Sequence, residues 1–216
     1  MAEHRPDSKR WNHSIHYWRK LLEEVPEGAR TALDVGTGEG FVARTLADRG
    51  LEVTGIDTDA PSLERAREQD QTRVTYLLGD VMTADLPREG FDVVAAVASV
   101  HHLDIDEGLA RLADLTAPGG TLLIVGLAWS SWPVDMPRDI AAAVAEKPYR
   151  LFKGYWDHGS PTVWPPPHTF RDVIKAADSL PGSFYQRRLL YRYTLTWTKP
   201  TAEETRALPA AEPATD

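Results

Sequence analysis

The sequence feature that most constrains the fold is a glycine-rich stretch early in the chain. Residues 33–40 read Leu-Asp-Val-Gly-Thr-Gly-Glu-Gly, an apolar run that ends in a carboxylate and continues into three glycines at alternate positions. Glycine adopts positive φ without strain and lets a ligand approach the main chain closely. The stretch therefore predicts a ligand-binding loop, and the rest of the chain must indicate which ligand it binds.

Alternating strand and helix patterns surround this loop. Short, nearly continuous apolar runs alternate with segments of helical spacing up to residue 126, as in a parallel sheet covered on both faces. Beyond it, residues 184–198 alternate as two strands with a turn near Leu189-Leu190. We predict an α/β fold, a doubly wound and mostly parallel sheet with an antiparallel edge strand. The first five strands are predicted at residues 31–35, 51–57, 74–80, 91–98 and 121–126.

The chain of 216 residues suits one domain with a full core. We predict that this domain spans residues 11–199, with an insertion or lid at 127–167 after the fifth strand. Residues 1–10 and 200–216 lack periodicity and are predicted to be disordered tails. Helices are predicted from Trp11 to near Pro26, around 135–146 and at about 169–179.

Composition and charge restrict the partner. The chain has no cysteine and a net charge of −8, which argues against disulfides and against nucleic acid. No apolar run approaches the roughly 18 residues that span a bilayer, and the polar start does not resemble a secretory signal. We therefore expect a cytoplasmic protein, a monomer or homodimer, that binds a small molecule and neither nucleic acid nor a membrane.

The spacing of the glycines separates two kinds of nucleotide-binding loop. A dinucleotide fingerprint, G-x-G-x-x-G counted from Gly36, requires a glycine at position 41, where this chain has Phe41. No Gly-Lys-Ser/Thr follows either, which excludes a phosphate-binding P-loop. Here the third glycine comes one place early, at Gly40.

An acid followed by G-x-G-x-G resembles the first motif of the Rossmann-like, class I S-adenosylmethionine-dependent methyltransferases. The resemblance extends over about residues 31–126 and includes "GIDTD", "LLGD" and "FDVVAAVASVHHL" in the family's order. It implies a seven-stranded Rossmann-like sheet, S-adenosylmethionine as the cofactor and methyl transfer as the activity. It also implies that the first loop lies against the methionine portion of the cofactor, through Asp34, Gly36, Thr37, Gly38 and Gly40.

The same resemblance assigns further cofactor contacts. Asp57, followed by Thr58, corresponds to the carboxylate that takes both ribose hydroxyls, since an ionised carboxylate accepts more than once. Asp80 corresponds to the acceptor of the adenine amine, and the backbone N–H of Val81 to its neighbour. Taken singly, Asp57 is also compatible with a helix cap, and Asp80 with a turn. The remaining candidates are Val97 and Ala98 after the fourth strand, and Tyr17 on the first helix.

Two histidines are candidates for proton removal from the methyl acceptor. Histidine suits this role at neutral pH, and His101 and His102 follow the fourth strand at the ligand edge. His102 aligns with a histidine common in the family's motif, which leaves His101 the freer candidate. Either residue could instead only hold the loop. No metal is expected, because the histidines lack ligand spacing and an acidic cluster.

The insertion is rich in aromatic residues and suggests where the acceptor binds. It would either line an aromatic acceptor pocket or pack a small core of its own. The favoured function is methyl transfer to oxygen or nitrogen of a small aromatic or hydrophobic metabolite. The alternatives are a cofactor-binding protein that catalyses cyclisation or rearrangement and, disfavoured by Phe41, an NAD-dependent oxidoreductase. The candidate acceptor residues are Trp129, Trp132, Trp156, His158, Trp164 and His168.

Overall fold

A single mixed sheet of seven strands organises the chain. The computed structural model describes residues 6–70, 74–131, 133–156, 163–201 and 203–204. The strand order is β3-β2-β1-β4-β5-β7-β6, with β1 to β5 parallel and β7 antiparallel to both of its neighbours. The predicted fold class is confirmed. The strands are β1 Thr31–Val35, β2 Glu52–Asp57, β3 Thr75–Leu78, β4 Phe91–Val97, β5 Thr116–Gly126, β6 Phe184–Arg187 and β7 Tyr193–Thr198.

Helices cover both faces of this sheet. The described residues form two apolar clusters, one that includes residues of α1, α2 and α3 and one that includes residues of α4 and α6. Successive residues of β1 alternate between them, since Ala32 belongs to one cluster and Leu33 to the other. The helices are α1 His13–Leu21, α2 Phe41–Ala47, α3 Ala60–Gln69, α4 Ile105–Leu115, α5 Met136–Lys153 and α6 Phe170–Ala177.

Local sequence explains where several helices begin. Asn12 precedes α1, and its side chain accepts a 2.9 Å hydrogen bond from the backbone N–H of Ile15. Asp104 accepts in the same way from two backbone N–H groups at the start of α4. Thr169 and Asp172 form a reciprocal capping box at the start of α6. These side chains satisfy helix N–H groups that have no partner inside the helix.

The strand order reverses beside β1, and this places the ligand site. β1 pairs with β2 on one side and with β4 on the other, so the segments that leave β1 and β4 diverge. A crevice forms at such a point, beyond the carboxyl ends of the strands. The glycine-rich loop follows β1 directly and lies at this edge.

Two elements are longer than the sequence predicts. β5 begins at Thr116 rather than at residue 121, because Thr116 already pairs with Phe91 before a register shift. α5 continues past Pro148 to Lys153. Proline removes one helix hydrogen bond, and Val144, four residues earlier, is exposed, so water can replace that bond.

The N-terminal segment is folded from residue 6, ahead of the predicted domain boundary. Asp7–Lys9 form a 3-10 turn, and the Asp7 carboxylate accepts hydrogen bonds of 2.7 and 3.0 Å from the Arg44 guanidinium. Arg10 is buried. Composition predicts a disordered tail here because it does not reveal an ion pair whose partner lies in α2.

None of the helices among the described residues has both the length and the apolar character needed to cross a membrane.

Candidate functional site

A cavity of about 320 Å³ opens at the carboxyl ends of β1, β2, β3 and β4. It lies at the reversal of strand order, where the sheet topology predicts a ligand. Eleven of the candidate residues from the sequence line it. They are Gly36, Thr37, Gly38, Asp57, Thr58, Asp80, Val81, Val97, Ala98, His102 and Trp156.

The glycine-rich loop requires its glycines for conformation and for space. Gly36, Gly38 and Gly40 have φ of 69°, 53° and 76°, the left-handed region that other residues rarely adopt. A Cβ on Gly36 would lie 2.3 Å from the Cβ of Ser99, on the loop that follows β4. The backbone of the loop after β1 therefore packs directly against the Ser99 side chain of the loop after β4, and both loops line the cavity.

Asp34 lies beneath this loop and holds it in place. Its Oδ2 accepts hydrogen bonds from Thr37 Oγ1 at 2.6 Å and from the backbone N–H of Ala43 at 3.0 Å. Asp34 is buried and is not among the residues that line the cavity. Burial raises the pKa of Asp34 to about 7, against the two hydrogen bonds, which lower it. Its position therefore suits loop support better than direct contact with a ligand.

Asp57, at the end of β2, joins the loop to the start of α3. Its two carboxylate oxygens accept from the backbone N–H groups of Gly38 at 2.7 Å and Asp59 at 2.9 Å. A carboxylate has about four acceptor sites, so two bonds leave capacity for further donors. Because Asp57 is only partly buried and lines the cavity, this capacity is available to hydroxyl groups of a ligand.

Asp80 and Val81 follow β3 at the far end of the cavity. The Asp80 carboxylate accepts from the backbone N–H of Met82 at 2.9 Å, a turn contact of the kind that its short side chain favours. Asp80 is exposed and Val81 is buried, and both line the cavity. Asp80 can therefore hold the turn through its bond to Met82 and still accept a hydrogen bond from a ligand.

The exit of β4 has an unusual backbone. Ala98 has φ of 58°, and its N–H donates to the Val125 carbonyl at 2.7 Å, which fixes this conformation. The next residue, Ser99, is buried and lines the cavity, and its Oγ has no hydrogen-bond partner among the described residues. A buried hydroxyl without a partner is costly and marks a position where a polar ligand group would be stabilised. Ser99 is not among the candidate residues that the sequence indicates.

The two histidines differ in environment. They belong to the 3-10 turn Val100–His102, with ring centroids 4.2 Å apart, but only His102 is exposed and lines the cavity. His101 is buried, and its Nδ1 has no hydrogen-bond partner in the part of the chain that the structure describes. Burial lowers the pKa of His101 to about 4, helped by the nearby side chains of His102, Arg192 and His168. His101 is therefore neutral at neutral pH.

Two separate segments cover the cavity. The start of α1 contributes Ser14 and Ile15, and the residues after α5 contribute Trp156. The backbone N–H of Trp156 donates to the Trp11 carbonyl at 2.7 Å, and the Arg10 guanidinium lies 4.5 Å from the Trp156 ring centroid. The sequence places a cofactor candidate, Tyr17, on α1, whereas the residues of α1 that line the cavity are Ser14 and Ile15.

Several candidate residues do not line this cavity. The hydroxyl of Tyr17 accepts from the backbone N–H groups of Leu189 and Leu190 and so holds the turn between β6 and β7. Trp129 and Trp164 are exposed and contact each other edge to face, and His168 hydrogen-bonds the Leu103 carbonyl. Gly40, the last glycine of the loop, lies against the Tyr76 side chain instead of the cavity. The candidates Trp132 and His158 lie outside the described residues.

Within the part of the chain that the structure describes, no group of three or more His, Asp or Glu side chains could hold a metal ion.

Comparisons with known proteins agree with this architecture. Residues 33–124 match a family model described as a methyltransferase domain. The chain is 39% identical over 202 residues to an uncharacterized methyltransferase of Mycobacterium tuberculosis, covering 88% of this chain and 98% of that protein.

Solved structures share the fold. A S-adenosylmethionine-dependent methyltransferase from Mesorhizobium loti superposes with a TM-score of 0.58 at 19% identity, over 86% of this chain and 97% of that one. The phosphoethanolamine N-methyltransferase 2 of Haemonchus contortus, solved with phosphomonomethylethanolamine and S-adenosylhomocysteine, gives a TM-score of 0.59 at 17% identity. That match covers 86% of this chain and 53% of the nematode chain.

Proposed function

The chain belongs to the Rossmann-like, class I family of S-adenosylmethionine-dependent methyltransferases, and we propose that it methylates an oxygen or nitrogen of a small aromatic or hydrophobic metabolite. The observation that carries this proposal is one cavity that collects the glycine loop, Asp57, Asp80 and the exit of β4. The family assigns these same positions to the cofactor. The acceptor class, the cytoplasmic location and the monomeric or homodimeric state remain predictions.

The residues of the cavity fit S-adenosylmethionine. Asp57 has acceptor capacity left for the ribose hydroxyls, and Asp80, which the family resemblance assigns to the adenine amine, lines the same cavity. Ser99 Oγ, which has no partner among the described side chains and backbone, lies beside Gly36, at the end assigned to the methionine portion. Each polar part of the cofactor would thus meet a group that lacks a full set of partners.

The chemistry that bound S-adenosylmethionine supplies is a methyl group on a positively charged sulfonium sulfur. The protein's main contribution is then alignment of an acceptor atom with that methyl group, which in favourable cases supplies roughly 7–11 kcal/mol. Ser14 and Ile15 on α1, with Trp156, cover the cavity and would exclude water while the acceptor is bound. No metal ion is part of this proposal.

Proton removal from the acceptor is assigned to His102. Its ring borders the cavity, whereas His101 is buried behind it. His101 would act through its contact with the His102 ring, 4.2 Å between centroids, and hold that ring toward the acceptor. The apolar neighbours Ile15, Leu103 and Trp156 favour an acceptor with an aromatic or hydrophobic body.

Two measurements test this function. Calorimetric titration with S-adenosylhomocysteine should show binding to the wild type and a loss of about tenfold or more in Asp57→Asn, because the amide cannot accept from two hydroxyls as the carboxylate does. Gln186→Ala, on the edge strand β6, is the control and should bind normally. Equal affinity in all three proteins would contradict the assigned cofactor site.

The transfer itself is tested by mass-spectrometric detection of S-adenosylhomocysteine formed with a panel of phenols, amines and acids. A methylated product together with S-adenosylhomocysteine supports the proposal. Conversion of an acceptor without loss of the methyl group from the cofactor would instead support the alternative, cyclisation or rearrangement by the same fold.

A further inference from the structure

Arg192 is a buried cation close to the cavity. It immediately precedes β7, whose first residue, Tyr193, pairs with Gly126 at the carboxyl end of β5. Its Nε donates to Ser14 Oγ at 3.0 Å, and Ser14 itself lines the cavity. Its Nη1 donates to the Tyr191 carbonyl at 3.2 Å. Arg192 therefore lies one side chain away from the cavity, at the edge of the sheet where ligands bind.

No acid neutralises this guanidinium among the described residues. No carboxylate of a described residue lies within the 4.0 Å of an ion pair, and the two hydrogen bonds recorded for it go to neutral oxygens. Glu146 acts on it only at longer range, and the Glu146 carboxylate lies 3.5 Å from His13. Burial lowers the pKa of Arg192 to about 10, so it stays charged at neutral pH.

A buried charge without a counter-ion destabilises a fold, and replacing such a group by an apolar one is often neutral or stabilising. The hydrogen bonds to Ser14 and Tyr191 leave the charge of Arg192 available to a ligand. The guanidinium offers a planar fork of donors that matches a carboxylate, and Nη2 makes no hydrogen bond within the described part of the chain. A ligand with one negative charge would neutralise this positive charge.

We propose that Arg192 binds a carboxylate group of the methyl acceptor, so that the substrate is a small aromatic or hydrophobic acid. This inference rests on the proposed function and narrows its substrate class. The cofactor positions follow β1, β2, β3 and β4, while Arg192 lies on the far side of β4, beside β5. The acceptor, which must approach the methyl group from outside the cofactor site, is thus the ligand that meets it.

The test measures preference for a charged over a neutral probe. The protein is saturated with S-adenosylhomocysteine and titrated with phenylacetate and with phenylacetamide, which has the same shape without the charge. We expect the wild type to bind the acid about tenfold more tightly, as one charge-assisted hydrogen-bonded pair implies. Arg192→Met should lose this preference and Arg192→Lys should retain part of it. Arg88→Met, at an exposed arginine paired with Asp114, should bind as the wild type does.

A second readout separates a ligand role from a structural one. In urea denaturation without ligand, Arg192→Met should unfold at the same or a higher urea concentration, since the variant removes an unpaired buried charge. A marked fall in the midpoint would overturn the inference, because Arg192 would then serve the fold.

Two binding results would also overturn it. One is an equal affinity of wild type for acid and amide. The other is a loss of S-adenosylhomocysteine affinity in Arg192→Met with unchanged affinity for 5′-methylthioadenosine, which lacks the amino acid part. Arg192 would then hold the carboxylate of the cofactor. Failure of the wild type to bind S-adenosylhomocysteine at all would contradict the proposed function itself and is distinguishable from both.

Discussion

Thr37 Oγ1 donates a 2.6 Å hydrogen bond to Asp34 Oδ2, and this contact fixes the glycine loop to the strand before it. The Thr37 side chain fits there because its neighbour on β2 is Gly55, where a Cβ would lie 2.8 Å from Thr37 Oγ1. Asp34 also accepts from the third residue of α2. One buried carboxyl group thus connects β1, the loop and the helix that follows it.

Asp34 should make stability depend on pH. Burial raises its pKa to about 7 in the folded protein, from 3.8 in the reference state. Between these values the folded protein holds a proton that the unfolded chain has lost, so the contribution of Asp34 to stability is full below pH 3.8 and falls as the pH rises through 7. We expect the free energy of unfolding of Asp34→Asn, relative to wild type, to increase from pH 5 to pH 8.

The measurement is urea denaturation of both proteins at several pH values. Asp106→Asn, at an exposed position on α4, is the control for loss of a charge. A difference between wild type and Asp34→Asn that is the same at every pH would contradict the raised pKa.

Gly36 should tolerate a methyl group far less well than Gly28, although both have positive φ, 69° and 86°. A Cβ at Gly36 would lie 2.3 Å from Ser99 Cβ, whereas a Cβ at Gly28 meets nothing within 4 Å. Gly28→Ala carries only the backbone strain, about 1–2 kcal/mol. Gly36→Ala should be a further 1–3 kcal/mol or so less stable, as overpacking typically costs. Chemical denaturation of the two variants checks this, and equal losses would show that the two loops do not touch as described.

The ion pair between Asp7 and Arg44 should support cofactor binding at a distance. Arg44 Nη1 donates to the Glu39 carbonyl in the glycine loop at 2.7 Å, and Asp7 binds two other nitrogens of the same guanidinium. Asp7→Asn should weaken S-adenosylhomocysteine binding severalfold at most, because Asp7 is partly exposed and solvent screens the pair.

Glu89→Gln provides a matched control, since it removes the surface pair with Lys199. Calorimetric titration compares the two variants with wild type. If both variants bind the cofactor product as the wild type does, the N-terminal segment has no influence on the loop.

The sequence predicted the parts of the fold that local patterns determine. The first four strands, the glycine loop after β1 and the two strands of the antiparallel edge follow from apolar runs and turns of a few residues. Asp57 ends β2 and His102 lies in the turn after β4, and because ligands bind beyond the carboxyl ends of parallel strands, both positions were expected at the ligand edge.

Contacts between distant segments were not predictable in this way. Ser14 and Arg192 meet across 178 residues, and no local pattern indicates that Ser14 rather than Tyr17 lines the cavity or that an arginine before β7 is buried. The two adjacent histidines are another case. Their position after β4 was predictable, but the 3-10 turn decides which of them faces the cavity.

His101 should add a pH dependence of the opposite sign to that of Asp34. Its pKa falls to about 4 on folding, from 6.5, because the charged ring is poorly solvated in the interior. Between these values the unfolded chain binds a proton that the folded protein does not, so stability rises with pH across this window and is constant above 6.5. His101→Leu removes the group. The free energy of unfolding of wild type relative to His101→Leu should therefore increase from pH 4.5 to pH 6.5, and urea denaturation at these two values measures it. A relative stability that stays constant or falls would mean that the His101 ring is charged in the folded protein. The assignment of a buried, neutral imidazole at His101 would then be wrong.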